Sequence, residues 1–596
     1  MNENYGAVKS SYNRFLLFVA GMGGLLYGVD VGIISGALPY LQATFTLPDG
    51  SLLNAQQSSF IVAAVLLGSV ISTLFAGMLA DWLGRKKIMA LSGTLFVISI
   101  PMIALAQGYW PLVFGRLLQG ISGGFIGVVI PLYLAECLRA ADRGKGTAIF
   151  QWLLTLGIVV AALIGLYFSE RVDAVAKLSD ARKLFAFKDH AWRSIFWVSL
   201  PPGILFVLGS LMVAESPRWL FLRKGKKDSA RAALLRSRSD AQAEIELQEM
   251  ADIVAAESAK SAGAQVKESL LRRKYVVPFL LACVILACNQ LTGVNSIIGY
   301  NATILIQAGL GDEQAHSGNL ILTVVNFLMT IGAVVLVDRK GRKFLLSLGS
   351  AGVIVSLLCA GTIFHQTEKL CVDCKDAFQS LVATNQSLTL DFNTATTTNF
   401  LAGKNFGGQP ATLVVIYSYG DFRAATTVAR SDDPAGKPVE INRAGCLPPN
   451  KVVAFFSNPF ANLDAAQTAP LKIENALITP VPSSQNGWLT AICLFAFMAF
   501  FAVGPGVCVW LALSELMPTR IRSNGMSIAL LINQAVSTTI AAVFLPTVGK
   551  YGYSTMFFGF AGCTVVYFIT AAFFLLETKG KTLEEIEEHF EGRQKS

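Results

Sequence analysis

Two oppositely charged residues lie inside stretches of sequence that otherwise carry almost no charge. Asp30 stands within the glycine-rich apolar segment 21–36, and Arg116 lies near the start of another apolar segment. An ionised aspartate at the centre of a membrane helix costs about 2.5–3.5 kcal/mol on insertion scales, so Asp30 is a functional candidate by default. A buried aspartate–arginine pair can organise helix packing, or it can take up and release a proton as its surroundings change.

Uncharged hydrogen-bonding side chains form a second set within apolar stretches. Amides both donate and accept hydrogen bonds without bringing net charge into the membrane, which suits a neutral polyhydroxylated solute. A tryptophan adds a flat surface for the C–H face of such a solute. Intramembrane amides also hold helices together, so each has a structural alternative. The candidate substrate-binding set is Gln151, Asn289, Gln290, Asn295, Asn326, Trp510 and Asn533.

Membrane-spanning helices are needed to position these residues. Of the 596 residues, 53% are hydrophobic and 15% are charged, whereas soluble domains carry about a quarter charged residues. A helix needs about 20 apolar residues to cross the bilayer. Segments of this kind lie near 15–40, 58–80, 88–108, 110–137, 147–168, 192–214, 276–307, 316–337, 344–364, 488–514, 524–547 and 553–576. The sequence therefore predicts an all-α membrane protein with twelve transmembrane helices.

The net charge of +9 is concentrated in short connections between the apolar segments. The positive-inside rule places such connections in the cytoplasm, so we expect a multi-pass protein of the cell membrane with both termini cytoplasmic. This distribution of charge argues against a nucleic-acid partner. The sequence contains no Walker loop and no zinc-ligand spacing. We therefore expect no enzyme activity, no cofactor and no metal, and a monomer in the lipid bilayer.

The two halves of the chain repeat one another, which predicts two six-helix bundles. Three matched motifs follow in the same order, namely Asp81–Lys87 with Asp338–Lys343, Glu136 and Arg143 with Glu515 and Arg522, and Glu215–Arg218 with Glu577–Gly580. The spacing from the first to the second motif is 55 residues in one half and 177 in the other. The second half therefore carries a long insertion between its third and fourth helices.

The repeat divides the chain into five parts. We predict an N-terminal bundle at 1–214, a cytoplasmic helical linker at 215–275, a C-terminal bundle at 276–364 and 488–577, an extracytoplasmic insertion at 365–487, and a cytoplasmic tail at 578–596. Alternating residues in 411–419 indicate that the insertion is β-rich or irregular. Cys371, Cys374 and Cys446 lie in it and would allow one disulfide, whose pairing the sequence does not determine.

The motifs resemble those of the sugar porter family of the major facilitator superfamily. They are Asp81–Lys87, Gly115-Arg116, Pro131–Glu136 with Arg143-Gly144, Glu215–Leu220, Gln290–Asn295 and Glu577–Gly580. The resemblance implies the major facilitator fold and import of a neutral monosaccharide or polyol with protons by alternating access. The long insertion is similar to that of proton/myo-inositol symporters. Ile158, Asn289 and Gln534 depart from residues common in the family, so the resemblance does not identify the sugar.

The resemblance also implies roles for the residues singled out above. Asp30 and Arg116 match the proton-coupling pair of the symporters, and the amides and Trp510 match substrate-facing positions. Charged residues at the cytoplasmic helix ends match a conformational latch that closes the inner side of the protein. They are Asp81, Arg85, Glu136, Arg143, Glu215, Arg218, Asp338, Arg342, Glu515 and Arg522. The alternative functions are a facilitative uniporter, in which Asp30–Arg116 is structural, and a nutrient sensor.

Overall fold

The computed structural model describes residues 2–47, 50–138, 143–178, 180–262, 272–401, 409–433, 438–451, 453–454, 458–509, 516–517, 521–577 and 589–590. The helices of the N-terminal half and the linker are α1 (Asn2–Thr44), α2 (Ala55–Leu83), α3 (Arg85–Ala104), α4 (Tyr109–Cys137), α5 (Arg143–Ala176), α6 (Ala181–Trp197), α7 (Leu200–Met212), α8 (Pro217–Leu222), α9 (Lys227–Leu235) and α10 (Asp240–Ala262). Those of the C-terminal half are α11 (Arg273–Leu291), α12 (Val294–Gln307), α13 (Asp312–Lys340), α14 (Arg342–Glu368), α15 (Lys375–Ser380), α16 (Thr394–Phe400), α17 (Leu463–Thr468), α18 (Ser484–Phe501) and α19 (Arg522–Ile569).

The described helices make twelve crossings, which confirms the predicted all-α membrane fold. Eleven helical stretches are long and apolar enough to span a bilayer. The last of them, Gly525–Phe574, has 50 residues and contains Gly552 at φ 83° and ψ 167°, a conformation incompatible with a helix. Gly552 therefore separates the eleventh crossing from the twelfth. Two other crossings each consist of two consecutive helices, α6 with α7 and α11 with α12.

Glycines allow the helices of the N-terminal half to approach closely. A methyl group at Gly28 of α1 would overlap the carbonyl oxygen of Leu154 in α5, and one at Gly120 of α4 would overlap the carbonyl oxygen of Val65 in α2. Small residues at such contacts replace side-chain packing with direct backbone packing, which is how membrane helices associate. The α1–α5 contact therefore fixes the helix that carries Asp30.

The packing differs between the two ends of the helical bundle. We call the end that carries α8–α10 the linker end, and the end that carries the chain between α14 and α18 the insertion end. At the insertion end, one buried cluster joins the halves, with Ile33 and Leu38 from the first and Ile297 and Ile304 from the second. At the linker end, the described residues of the two halves form separate clusters, one in each half, and α9 with α10 form a third. The protein is therefore closed at the insertion end.

The insertion, defined here as the chain between α14 and α18, is built on two small sheets. Its strands are β1 (Val372–Asp373), β2 (Leu388–Leu390), β3 (Ala411–Tyr419), β4 (Phe422–Ala425), β5 (Ala429–Arg430), β6 (Val439–Ile441) and β7 (Leu471–Pro480). One sheet has the antiparallel order β1-β7-β3-β4 with β5 beside β3, and the other pairs β2 with β6. The prediction that the insertion is β-rich or irregular is confirmed, and its sheets are small and irregular.

Cysteines do not cross-link the insertion. None of the chain's ten cysteines, all of which are described, forms a disulfide. Burial raises the pKa of Cys446 to about 12, which keeps its thiol protonated and unreactive at neutral pH. The sheets and the buried cluster around Phe378 and Tyr419 therefore hold the insertion together.

The insertion contacts both halves of the bundle. On the N-terminal side, the backbone N–H of Ala425 donates to Gln56 Oε1 at 3.3 Å, and Lys188 Nζ lies 3.3 Å from Asp433 Oδ1. On the C-terminal side, Arg430 Nη1 donates to the carbonyl oxygen of Ile306 at 3.2 Å. The insertion therefore bridges the halves while the insertion end is closed.

We predict that the membrane core folds without the insertion. Val372 of β1 pairs with Ile478 of β7, so the chain enters and leaves the insertion at neighbouring points that a short linker can join. Replacing residues 373–477 with a Gly-Ser linker is expected to preserve membrane insertion and a monodisperse gel-filtration peak. Loss of membrane insertion in this variant, with the full-length protein as control, would contradict the prediction.

Candidate substrate and proton site

The buried charge pair lies between α1 and α4. Arg116 Nη1 is 3.8 Å from Asp30 Oδ1, and both side chains are 1% exposed. The same nitrogen donates a hydrogen bond of 2.6 Å to Gln119 Oε1, less than one turn further along α4. The ring of Phe196 covers the guanidinium, with its centroid 5.6 Å from Arg116 Cζ. The ion pair is thus enclosed by protein on several sides.

The carboxylate of Asp30 is held loosely. Neither of its oxygens has a hydrogen-bond donor among the described residues, and 3.8 Å exceeds hydrogen-bonding distance. Gly123 of α4 leaves space beside it, because a Cβ at this position would lie 3.1 Å from Asp30 Oδ2. Such a carboxylate can gain or lose a proton without breaking a hydrogen bond. Sequence reasoning missed Gln119, although an amide three residues after Arg116 lies on the same helical face.

Three of the five predicted amides of the C-terminal half form one network between α11, α12 and α19. Gln290 Nε2 donates to Asn533 Oδ1 at 3.2 Å, and Asn295 Nδ2 donates to Gln290 Oε1 at 2.9 Å. Asn295 Nδ2 also donates to Ser537 Oγ at 2.7 Å, a residue that sequence reasoning missed. Gly293 breaks the helix at φ 81° between Gln290 and Asn295. A broken helix lined with amides is a common architecture for a transporter binding site.

None of the other candidate substrate residues has a described hydrogen bond to this network, and one of them lies outside the described residues. Asn289 Nδ2 donates to the carbonyl oxygen of Pro505 at 3.0 Å, within the π-helical turn Ala502–Gly506 that continues α18. Asn326 is buried on α13, and Gln151 is half-buried on α5. Trp510 lies outside the described residues. The described amides thus come from both halves of the bundle.

The charged residues at the linker end of the N-terminal half form one compact group. Arg85 contacts Asp81 at 3.0 Å and Glu136 at 2.8 Å. Glu215 Oε1 accepts hydrogen bonds from the backbone N–H groups of Arg85 at 3.0 Å and Lys86 at 3.1 Å. Glu215 therefore caps the N-terminus of α3, where a negative charge is stabilised by the helix dipole. These contacts tie the ends of α2, α3 and α4 to the start of the linker.

The C-terminal half repeats this cap. The carboxylate of Glu577 accepts from the backbone N–H groups of Arg342 at 3.0 Å and Lys343 at 3.1 Å. In both halves a glycine with positive φ precedes the capped helix, Gly84 at φ 102° and Gly341 at φ 88°. The correspondence between Glu215 and Glu577 in the sequence repeat thus has a physical counterpart in the fold.

The remaining latch residues either form no described ion pair or have side chains outside the described residues. Arg218 is half-buried on α8, and no described residue forms an ion pair with it. The side chains of Arg143, Asp338 and Arg522, and the whole of Glu515, lie outside the described residues. Sequence reasoning missed a third glutamate cap, Glu368, which accepts from the N–H and hydroxyl of Ser554 just after Gly552. No local motif marks this contact, because its partners are 186 residues apart.

Comparison with known proteins identifies transporters as relatives over most of the chain. The family model described as "Sugar (and other) transporter" matches residues 16–380 and 470–590. The glucose transporter GlcP of Staphylococcus epidermidis is 25% identical over 96% of this chain and 97% of its own length. The proton myo-inositol cotransporter of Homo sapiens is 27% identical over 96% of this chain and 81% of its own length.

Solved structures agree on the fold. The partially occluded inward open conformation of the xylose transporter XylE from E. coli superimposes with a TM-score of 0.63 at 19% identity. The match covers 96% of this chain and 100% of that one. Two six-helix halves, paired glutamate caps, a broken amide-lined helix and the matched family model lead to one assignment. The chain belongs to the sugar transporter family and has the major facilitator fold.

Proposed function

We propose that the protein imports a neutral monosaccharide or polyol together with protons by alternating access. The observation that carries this proposal is the Asp30–Arg116 pair, which is fully buried while the carboxylate lacks a hydrogen-bond donor among the described residues. Maintaining such a charge in the membrane costs free energy, and ionisable residues kept there at this cost usually serve a function. The similarity to a proton myo-inositol cotransporter supports proton coupling.

The basic linker end faces the cytoplasm in this proposal, because positive residues favour that side of the membrane. Both termini are then cytoplasmic, and the insertion faces the outside of the cell. The moving units are the halves 1–214 and 276–364 with 488–577, joined by the cytoplasmic linker 215–275. The tail is 578–596, the insertion is 365–487, and the protein works as a monomer.

In the proposed transport cycle, the Asp30–Arg116 pair between α1 and α4 responds to protonation. Protonation of Asp30 from outside weakens its attraction to Arg116 and favours the outward-facing state, which loads the solute. Rocking of the halves then exposes the site to the cytoplasm, where the proton and the solute leave. The charged groups at the linker end close the inner side in the outward-facing state.

The proposed solute contacts are assigned from the hydrogen-bonding groups of the side chains. A sugar or polyol offers hydroxyl groups that donate and accept, and the side chains of Gln290, Asn295 and Asn533 offer the same combination without net charge. These amides already bond to one another, so their orientations are fixed before a solute arrives. Gln151, Asn289, Asn326 and Trp510 complete the proposed site.

Labelled-solute uptake into proteoliposomes tests the proposal. With an inward proton gradient, one of xylose, glucose, galactose or myo-inositol is expected to accumulate above its external concentration. Dissipating the gradient with a protonophore is expected to return the internal concentration to the external level. Equilibration without accumulation in both conditions would establish a uniporter and leave Asp30–Arg116 as a structural pair.

A further inference from the structure

The insertion is attached to the C-terminal half. The chain enters it from α14 and leaves it into α18, and both helices belong to that half. Its sheet also packs on α19, because a Cβ at Gly549 would lie 3.6 Å from the Cβ of Ala425 and 3.7 Å from a methyl carbon of Val414. Arg430 adds the hydrogen bond to the carbonyl oxygen of Ile306 at 3.2 Å. We therefore expect the insertion to move with the C-terminal half.

Three polar contacts cross from the insertion to the N-terminal half. We call them the clasp. Because the insertion moves with one half and the partners belong to the other, each contact must break when the halves separate at the insertion end. The contacts of the clasp are Asn54 with Gly445, Gln56 with Ala425, and Lys188 with Asp433.

Asn54 serves the clasp and α2 at the same time. Its Oδ1 caps the helix by accepting from the backbone N–H of Gln57 at 2.7 Å, and its Nδ2 donates to the carbonyl oxygen of Gly445 at 2.5 Å. Because the two roles use different atoms of one amide, the contact with the insertion is tied to the first turn of α2. A substitution can therefore remove the contact and keep the cap.

Lys188 extends the clasp to a second helix of the N-terminal half. Its Nζ lies 3.3 Å from Asp433 Oδ1, and the two side chains are 15% and 28% exposed. Partly buried ion pairs are screened by salt less than exposed ones. The insertion is thus held at the start of α2 and on α6, two helices that are far apart in the chain.

The clasp borders an open space beneath the insertion. A cavity of about 440 Å³ lies between the insertion and both halves, and Asn54, Lys188, Asp433 and Gly445 line it. The insertion therefore meets the N-terminal half around a cavity and not across a fully packed surface. Polar interfaces of this kind within a chain permit relative motion of the parts that they join.

We propose that the insertion acts as a clasp that favours closure of the insertion end and so limits how often the protein opens outwards. A contact present in only one of two states shifts the population towards that state by its own free energy. The clasp adds in this way to the apolar cluster that already closes this end. The inference rests on the proposed function in one respect, that the insertion end faces outwards.

Distance measurements by pulsed electron paramagnetic resonance test the clasp on the full-length protein in nanodiscs without solute. Spin labels at the exposed positions 178 and 489, introduced as genetically encoded amino acids, report on the two halves. Lys188→Gln removes the charge, and Asn54→Asp keeps the helix cap but turns an oxygen towards the carbonyl of Gly445. Each is expected to lower the closed-to-open ratio about threefold or more, the effect of losing one such contact.

Two further constructs of the chain make the test specific. Lys183→Gln removes a charge on α6 that pairs with Asp180 within the N-terminal half, so the wild-type ratio is expected. Replacing residues 373–477 with the Gly-Ser linker removes the whole clasp, and the ratio is expected to fall further than in either point variant. In that shortened protein, Lys188→Gln and Asn54→Asp are expected to have no additional effect.

Two results would overturn the clasp. One is a wild-type ratio in both Lys188→Gln and Asn54→Asp. The other is the same shift by these substitutions in the shortened protein, since they would then act without the insertion. Neither solute nor a proton gradient enters the measurement, so a uniporter would give the expected ratios as well. Solute accumulation in proteoliposomes tests the symport proposal independently.

Discussion

Asp30→Asn is expected to abolish solute accumulation driven by a proton gradient while leaving solute exchange across the membrane intact. Asparagine has nearly the same shape as aspartate but cannot bind and release a proton in the physiological range. Because no described group donates a hydrogen bond to the Asp30 carboxylate, the substitution breaks none of the described hydrogen bonds. The accumulation ratio in proteoliposomes should fall to about one, the value for a transporter that only equilibrates its solute.

A matched substitution controls for the change in charge. Asp376→Asn removes a carboxylate on the exposed surface of the insertion, and its accumulation should equal that of the wild type. Counterflow, in which unlabelled internal solute drives uptake of labelled solute, measures exchange without a gradient. Accumulation in Asp30→Asn at the wild-type level would contradict proton coupling through this residue.

Gly28→Ala adds only one methyl group but is expected to destabilise the protein strongly. The added methyl group would overlap the carbonyl oxygen of Leu154, and α1 must move away from α5 because backbone atoms cannot rotate aside. Overpacking of this kind costs about 1–3 kcal/mol. Thermal unfolding in detergent, followed by tryptophan fluorescence, should show a clearly lower midpoint. Since Asp30 lies two residues further along α1, proton-driven accumulation should fall as well.

The control for this variant is Gly77→Ala on α2. A Cβ at Gly77 meets no atom within 4 Å, so its main effect is the better helix propensity of alanine, worth up to about 1 kcal/mol. We expect its midpoint to stay at or above that of the wild type. Equal midpoints for Gly28→Ala and Gly77→Ala would show that the α1–α5 contact does not require glycine.

The number of crossings and the charge pair could be predicted because their signals are local. Bilayer length and apolar composition mark each helix, and a charge within such a run is conspicuous by its cost. Sequence reasoning likewise singled out the amides that form the network between α11, α12 and α19. These features depend on the type of a residue and on its immediate neighbours in the chain.

Contacts between distant segments could not be predicted in the same way. Ser537 is an ordinary polar residue on a membrane helix, and its contact with Asn295 appears only when the packing of α12 against α19 is known. Glu368 caps a helix whose first residues lie 186 positions later. In each case the contact is made by a partner in space and is not marked by a pattern along the chain.

Because the insertion contacts both halves, an antibody fragment that binds it can distinguish conformations of the protein. Its strand β4 meets α2 through Gln56, while Arg430 reaches the end of α12. An antibody fragment whose epitope spans β4 and the start of α2 recognises a composite surface that is dismantled when the halves separate. Such a fragment would report the conformation of the membrane core at the insertion end, and at saturating concentration it would hold that end closed.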